Sequence, residues 1–342
     1  MDPLTHIVIG RAVVAAARDE RRNHIVGAAA ILGALAPDAD SAIALSGWDR
    51  YIRAHQFGTH SIVGAMAMAA IAAIVVDRSA KAFARRREAR TPSRDAVATH
   101  PTKGGAKASA ERFRTIFAAA LAGAFSHIAL DLLSGARIAI LWPFVDRRVS
   151  LPFVAMFDPW LIAICIVWLL LLWPARVHLR RASRAAVAAA AIFLCGKALL
   201  LGLAVERSDF TPAEPSAIEA RWGSLTTWLV FERAHDTVRT TAIASGGGPP
   251  RIVMTRPLVA ETPLVRASRS LDDVRNFLAV HDFAFAAETS DGDGRRSVMW
   301  SDLRYCSPGG CGVWVGGTFD ADGQPLTEEV RVGTVVQRRR KN

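Results

Sequence analysis

The stretch Met156–Pro174, MFDPWLIAICIVWLLLLWP, is the most apolar part of the chain and predicts a transmembrane helix. A helix needs about 20 apolar residues to cross the hydrocarbon core of a bilayer. Tryptophans stand at positions 160, 168 and 173, and this residue type is enriched where a membrane meets water. The stretch therefore indicates an integral membrane protein.

Other apolar segments precede and follow this stretch. Segments 60–76, 115–135 and 185–205 approach or reach the length of a span. Segments 4–17 and 25–36 are shorter, and the charged turn between them predicts a helical hairpin. Together these segments predict an all-α transmembrane bundle of about five to six helices.

Basic residues between the apolar segments predict the topology. They concentrate in the turn 18–22, in the loop 78–114 and in residues 176–184. Alternating helices place all three on one side, which is the cytoplasmic side because cytoplasmic loops are rich in Lys and Arg. Residues 37–59, residues 136–155 and everything after residue 206 then face the other side.

The chain changes character near residue 205. Residues 1–205 predict a membrane-embedded domain, and the more polar residues 206–342 predict a small α+β extracytoplasmic domain. The Arg-, Ala-, Ser-, Thr- and Lys-rich loop 78–114 is predicted to be disordered. Taken alone, the net charge of +11 would suggest a nucleic-acid partner. Because the basic residues lie in blocks between apolar segments, as in the loops of membrane proteins, we expect no nucleic acid to bind.

In the C-terminal part, alternating patterns and a capped apolar run predict strands and one helix. The helix is predicted at 270–280, with Ser270 as its cap and Asp273 three residues later. The strands are predicted at 226–232, 237–243, 251–255, 297–304 and 312–319. Cys306 and Cys311 flank a Ser-Pro-Gly-Gly turn that brings two sulfurs close. Whether they pair stays open, although a disulfide would agree with an exported domain.

Several ionisable residues stand where apolar residues are expected. His127 and Asp131 are four residues apart in a predicted span, so they lie one turn apart on the same helix face. Ionisable groups at membrane depth are costly and indicate function. The alternative for this pair is an interhelical hydrogen bond that stabilises packing.

The predicted topology brings further ionisable residues to the same level of the bilayer. Seven candidates fall at or near the non-cytoplasmic ends of their segments: His6, Asp38, Asp40, His55, His60, His127 and Asp131. Mixed imidazole and carboxylate ligands suit zinc, and also manganese or iron. The sequence therefore predicts a site for a divalent metal, with enough ligands for more than one ion.

Short motifs around these residues carry a family resemblance. They are Met1-Asp2-Pro3-Leu4-Thr5-His6, Leu35-Ala36-Pro37-Asp38-Ala39-Asp40, His55 with Thr59-His60-Ser61, His127 with Asp131-Leu132-Leu133, Leu141-Trp142-Pro143-Phe144, and Phe157-Asp158-Pro159-Trp160. Their order and spacing over residues 1–175 resemble the YdjM-like membrane-bound metal-dependent hydrolases. That family is distantly similar to the all-helical, zinc-dependent phospholipase C and P1 nuclease.

The resemblance implies a function. It implies that the seven candidates are metal ligands. It also implies that Arg147 and Trp142 lie at the rim of the metal site, where Arg147 pairs with a phosphate. The sequence departs from the family at two places, where His55-Gln56-Phe57-Gly58-Thr59-His60 lacks an Arg and Gly135-Ala136-Arg137 replaces Tyr-Gly-Thr. A phosphate role is therefore not carried over to position 56.

Two hypotheses follow for a multi-pass protein of the bacterial inner membrane. In the first, it is a metal-dependent hydrolase that attacks a phosphoester or lipid-linked substrate with metal-activated water, and Asp40 or Asp131 is the base. In the second, it is a non-catalytic membrane protein. The polar cluster then packs helices or conducts a cation, and the exported domain binds a partner.

Overall fold

The computed structural model describes residues 1–17, 24–55, 57–90, 103–172, 178–208, 211, 215–258, 261–290 and 295–340. The N-terminal helices are α1 (Pro3–Ala17), α2 (His24–Leu35), a 3-10 helix (Pro37–Ser46), α3 (Trp48–Ala54), α4 (Ile62–Arg90), α5 (Lys103–Leu133), α6 (Pro159–Leu172) and α7 (Leu179–Arg207). The described residues form two compact units, one of Met1–Ala39 with Gln56–Gly196 and one of Asp40–His55 with Lys197–Asn342.

Three helices are long and apolar enough to cross a membrane: Ile62–Arg87 of α4, Lys107–Leu133 of α5, and α7. The pair of α2 and the following 3-10 helix makes a fourth candidate, which bends by 49°. The bend falls at Pro37, whose ring cannot continue the hydrogen-bond ladder of α2. The N-terminal region is therefore helical with three to four apolar spans.

Within the described residues, the helix of the stretch 156–174 begins at Pro159, three residues later than predicted. Asp158 caps α6, since its Oδ1 accepts hydrogen bonds from the backbone N–H groups of Trp160 (3.0 Å) and Leu161 (3.2 Å). Pro159 is the first helical residue, where its missing N–H costs nothing. The 14 described residues of α6 extend about 21 Å, less than the hydrocarbon thickness.

The predicted interfacial role of the tryptophans holds only in part. Trp160 is half exposed, but Trp168 is buried, and its indole N–H donates to Ser183 Oγ of α7 at 3.1 Å. Trp168 therefore joins two helices instead of facing the headgroups. Trp173 lies outside the described residues.

The basic loop 78–114 also differs from the prediction. Helix α4 continues to Arg90 and α5 begins at Lys103, so both ends of the segment are helical. Alanine, arginine, lysine and glutamate are good helix formers, which extends the two helices beyond their apolar windows. Residues 91–102 lie outside the described residues.

Helices α2 and α5 pack closely through small residues. A Cβ atom on Gly33 would lie 2.1 Å from the carbonyl oxygen of Ala120, and one on Gly123 would lie 2.2 Å from that of Ala30. Alanines on α2, α4 and α5 fill most of the surrounding core. Small residues allow membrane helices to approach this closely.

The C-terminal region contains antiparallel sheets, which confirms the predicted fold class. One sheet has the strand order β1-β2-β3-β4 and another has the order β11-β10-β9-β6-β5, and a separate two-stranded ribbon, β7-β8, lies in the chain between β6 and β9. The strands are β1 (Ser216–Ala220), β2 (Thr227–Ala234), β3 (Thr237–Ala244), β4 (Arg251–Pro257), β5 (Ala284–Ser290), β6 (Arg296–Asp302), β7 (Cys306–Ser307), β8 (Gly310–Cys311), β9 (Val313–Phe319), β10 (Pro325–Val332) and β11 (Val335–Arg340). The ribbon carries a Cys306–Cys311 disulfide.

Two short helices, α8 (Pro263–Ser268) and α9 (Asp272–Leu278), cover the five-stranded sheet. The predicted cap of α9 is wrong. Ser270 Oγ donates back to Ala267 O at 2.7 Å, while Glu328 Oε1 accepts from the Asp272 N–H at 2.8 Å. A carboxylate from β10 therefore replaces the local cap, which sequence spacing does not reveal.

Candidate metal centre

Four predicted ligands come together within the first compact unit. Asp38 follows Pro37 in the 3-10 helix, His60 precedes α4, and His127 and Asp131 lie one turn apart on α5. One ligand atom from each residue lies within 4.8 Å of all the others. His60, His127 and Asp131 are fully buried, whereas the side chain of Asp38 is 28% exposed. Solvent therefore reaches this group on the Asp38 side.

The separations between the ligand atoms are nearly uniform. Nε2 of His60 lies 3.4 Å from Asp38 Oδ1 and 3.3 Å from Asp131 Oδ2. Nε2 of His127 lies 3.5 Å and 3.3 Å from the same two oxygens, and the two nitrogens are 3.2 Å apart. Ligand atoms of a tetrahedral zinc ion, bound at 2.0–2.1 Å, are about 3.3 Å apart. Five edges of this group match that value, so these residues fit a divalent cation.

Hydrogen bonding fixes the orientation of His127. Its Nδ1 lies 2.7 Å from the carbonyl oxygen of Ala34, which can only accept, so Nδ1 carries the proton. In the neutral ring Nε2 then presents a lone pair to two carboxylates and a second imidazole. A cation at the centre satisfies all four groups, and the backbone contact is the orienting contact typical of metal-bound histidine.

His6 lies beside this group instead of completing it. Its ring stacks on His127 with centroids 3.8 Å apart, and its Nε2 is 3.3 Å from Asp131 Oδ1. Within the described parts of the chain, neither ring nitrogen of His6 makes a hydrogen bond. The amino group of Met1 forms an ion pair with the same oxygen. Asp131 therefore turns one oxygen toward α1 and the other toward His60 and His127.

Asp40 and His55 form a pair within the second compact unit. His55 Nδ1 lies 2.9 Å from Asp40 Oδ1. The ring of Tyr51 stacks on His55 with centroids 4.6 Å apart. An imidazole held by a carboxylate in this way is suited to bind a cation or to move a proton.

The two residues predicted to lie at the rim, Trp142 and Arg147, differ in their surroundings. Trp142 packs against Gly58, whose Cβ position would lie 3.5 Å from the indole, and against Phe57 at 5.8 Å between centroids. Arg147 is exposed. Its neighbour Arg148 is half-buried, with its guanidinium 5.5 Å from the ring centroid of Phe57, and burial together with the charge of Arg137 lowers the pKa of Arg148.

Sequence reasoning missed the carbonyl oxygen of Ala34, which contacts His127 Nδ1. It is a backbone group, so no residue type in the sequence indicates its role.

Comparison with known proteins identifies a family. No curated protein and no solved structure matches the chain. The family model described as YdjM inner membrane protein matches residues 1–207, the region that contains the helices and the buried His/Asp group. This confirms the resemblance seen in the motifs, and because the match covers more than half of the chain, the protein belongs to the YdjM inner membrane protein family.

Proposed function

We propose that the protein is a membrane-bound, metal-dependent hydrolase that acts on a phosphoester or lipid-linked substrate. The observation that carries this proposal is the set of five separations, 3.2–3.5 Å, among the ligand atoms of Asp38, His60, His127 and Asp131. Two imidazoles and two carboxylates favour zinc, and manganese or iron are the alternatives.

A bound divalent metal supplies a Lewis acid and lowers the pKa of water at neutral pH. The residues of the chain supply the rest. His127 is oriented by the Ala34 carbonyl, and Asp131 bridges the two imidazoles through one oxygen. Asp131, or Asp40 with its partner His55, accepts the proton of the attacking water. Arg148 holds the anionic group of the substrate.

A phospholipid or lipid-linked phosphate is the favoured substrate. The ligand residues lie on or next to apolar helices that are candidate membrane spans, and Asp38 provides the exposed side of the group. A substrate held in the bilayer reaches such a site with its headgroup, which brings the scissile bond to the metal.

Metal analysis of the purified protein tests the metal centre. We expect stoichiometric zinc, manganese or iron in the wild type and its loss in His127→Ala and Asp131→Asn. His178→Ala is the matched control, because His178 is exposed and outside the group. Turnover is then measured on a panel of phosphomonoester and phosphodiester lipids. A folded wild type that binds no divalent metal after reconstitution contradicts the proposal.

The ion pair of Met1 with Asp131 favours the second candidate, a non-catalytic role in helix packing. The two candidates differ for His60→Ala. Under the hydrolase proposal, this variant loses metal and turnover while the metal-free protein keeps its thermal stability. Under the packing role, the metal-free variant unfolds at a lower temperature than the metal-free wild type.

A further inference from the structure

Lys197 lies in the apolar second half of α7, where an ammonium group is costly unless it is satisfied. The residue is 1% exposed. Its Nζ donates to the carbonyl oxygens of Ser224 (3.0 Å) and Leu225 (3.3 Å) and lies 4.4 Å from the ring centroid of Trp228. These partners belong to the turn between β1 and β2 and to the start of β2. The lysine therefore holds the tip of this hairpin against α7.

The position of Lys197 along α7 fixes the level of the hairpin tip. Ten residues separate Lys197 from Arg207, the last residue of α7. At the helical rise this corresponds to about 15 Å along the axis. The β1–β2 tip thus lies about three turns back from the end of α7. Leu199 and Val205, on the α7 segment between these levels, are 66% and 44% exposed.

The tip has the composition of a membrane-interface segment. Trp222 is 71% exposed and Leu225 is 40% exposed, and Arg221 beside them is exposed. An indole ring is most stable where headgroups meet acyl chains, and an arginine at the same level reaches the phosphates. In the described structure, both apolar side chains are exposed on an otherwise polar turn.

The turn satisfies its own polar groups. Ser224 Oγ accepts hydrogen bonds from the N–H groups of Thr226 (3.3 Å) and Thr227 (3.1 Å). Lys197 Nζ donates hydrogen bonds to the carbonyl oxygens of Ser224 and Leu225. The positive φ of 72° at Gly223 allows the tight reversal. Backbone groups must be satisfied in this way wherever water is scarce.

We propose that the tip of the β1–β2 hairpin, Arg221–Leu225, inserts into the interfacial layer of the phospholipid leaflet in which α7 ends. The tip then anchors the C-terminal domain to the lipid at a second point besides its covalent link to α7. The bilayer is the partner because the tip is held beside a membrane-spanning helix at a level well short of the helix end. This proposal is independent of catalysis.

Spin-label accessibility in full-length protein tests the insertion. The protein carries Cys195→Ala and is reconstituted in nanodiscs of phosphatidylcholine and phosphatidylglycerol. A nitroxide is attached at Trp222→Cys. The matched control is Ala321→Cys, because Ala321 is exposed in the polar β9–β10 turn of the same domain. We expect the ratio of oxygen accessibility to nickel-chelate accessibility to be several-fold higher at position 222 than at position 321.

A ratio at position 222 equal to that at position 321 overturns the proposal, because the tip then stands in water. If the Trp222→Cys protein is not recovered folded, the label at Leu225→Cys replaces it under the same criterion. Lys197→Met gives the second readout. The proposal requires the label at the tip to become more accessible to the nickel chelate in this variant, and an unchanged accessibility contradicts the role of the lysine contact.

Discussion

Asp131 shows how a single buried carboxylate contacts four groups, two through each oxygen. One oxygen faces His6 and the amino group of Met1, and the other faces His60 and His127. The sequence reveals the His127–Asp131 spacing because four residues make one helical turn. It does not reveal which oxygen or which ring nitrogen points where, since those orientations depend on the Ala34 carbonyl and on α1.

Arg148, which is half-buried beside Phe57, is expected to hold an anionic group. A charge-assisted hydrogen bond contributes about 1.5–3 kcal/mol, so Arg148→Gln is expected to weaken inorganic phosphate binding to the metal-loaded protein by roughly tenfold or more. Arg147→Gln is the matched control, because Arg147 is exposed. Isothermal titration calorimetry measures both dissociation constants. Equal weakening by the two substitutions would show that neither arginine is specific.

His281 in the C-terminal domain is expected to stay neutral in mildly acidic solution. It is buried, its Nδ1–H donates to Phe277 O at 2.8 Å, and its Nε2 accepts from the Tyr305 hydroxyl at 2.9 Å. Burial lowers the pKa of His281 to about 4. Nitrogen NMR of labelled histidine is expected to show the neutral Nδ1–H tautomer down to that pH.

This titration has a consequence for stability. Between about pH 6.5 and about pH 4 the unfolded chain binds a proton at His281 that the folded chain does not, so stability falls as the pH falls, by on the order of 3 kcal/mol. Glu219, whose pKa desolvation raises to about 7, opposes this trend. The test therefore measures the free energy of unfolding by denaturant, with a probe in β6, as a function of pH for wild type and His281→Gln. If the two proteins lose stability in parallel as the pH falls, the assignment of a low pKa to His281 is contradicted.

The elements could be predicted from the sequence where local chemistry decides them. The strands β2, β3, β4, β6 and β9 lie where alternating residues predict them. Asp2 and Asp158 cap α1 and α6, each followed by proline, so the two Asp-Pro motifs have a structural reason. The start of α6 was predicted three residues too early because a hydropathy window does not register the Asp158 cap. The caps of α9 and the burial of Trp168 depend on contacts distant in sequence.

The close packing of α2 on α5 is expected to be sensitive to a single methyl group. In Gly33→Ala the new Cβ meets the Ala120 carbonyl at 2.1 Å, and neither backbone can move without shifting a helix. Such overpacking costs about 1–3 kcal/mol. Because Ala34 and His127 lie on these two helices, the metal content is expected to fall as well. Thermal unfolding and metal analysis measure the two effects.

Gly202→Ala provides the control for this packing prediction. A Cβ on Gly202 in α7 has nothing within 4 Å in the described structure. We expect this variant to keep the wild-type melting temperature and metal content. The packing argument fails if Gly33→Ala is as stable as Gly202→Ala.

At the scale of the whole molecule, the sequence predicts a change of character near residue 205 but not the grouping of residues 40–55. That segment forms a compact unit with the C-terminal region, and Trp48 packs against the core beneath the five-stranded sheet. The Trp48 N–H also donates to the side chain of Gln337 at 3.2 Å. Contacts between residues almost 290 positions apart leave no local pattern, so hydropathy and periodicity cannot reveal them.

This grouping constrains the membrane orientation. Residues 40–55 and the C-terminal domain belong to one compact unit, which favours the same side of the membrane for both, and the Cys306–Cys311 disulfide favours an oxidising compartment there. The basic blocks before α2 and α7 favour the cytoplasm for the opposite side.

Alkaline phosphatase fused after residue 290 is therefore expected to be active and a fusion at residue 100 inactive. Green fluorescent protein fusions at the same positions should give the reverse pattern, since that protein fluoresces when it folds in the cytoplasm. An active phosphatase at residue 100 would invert the topology and place the exposed side of Asp38 at the cytoplasmic leaflet.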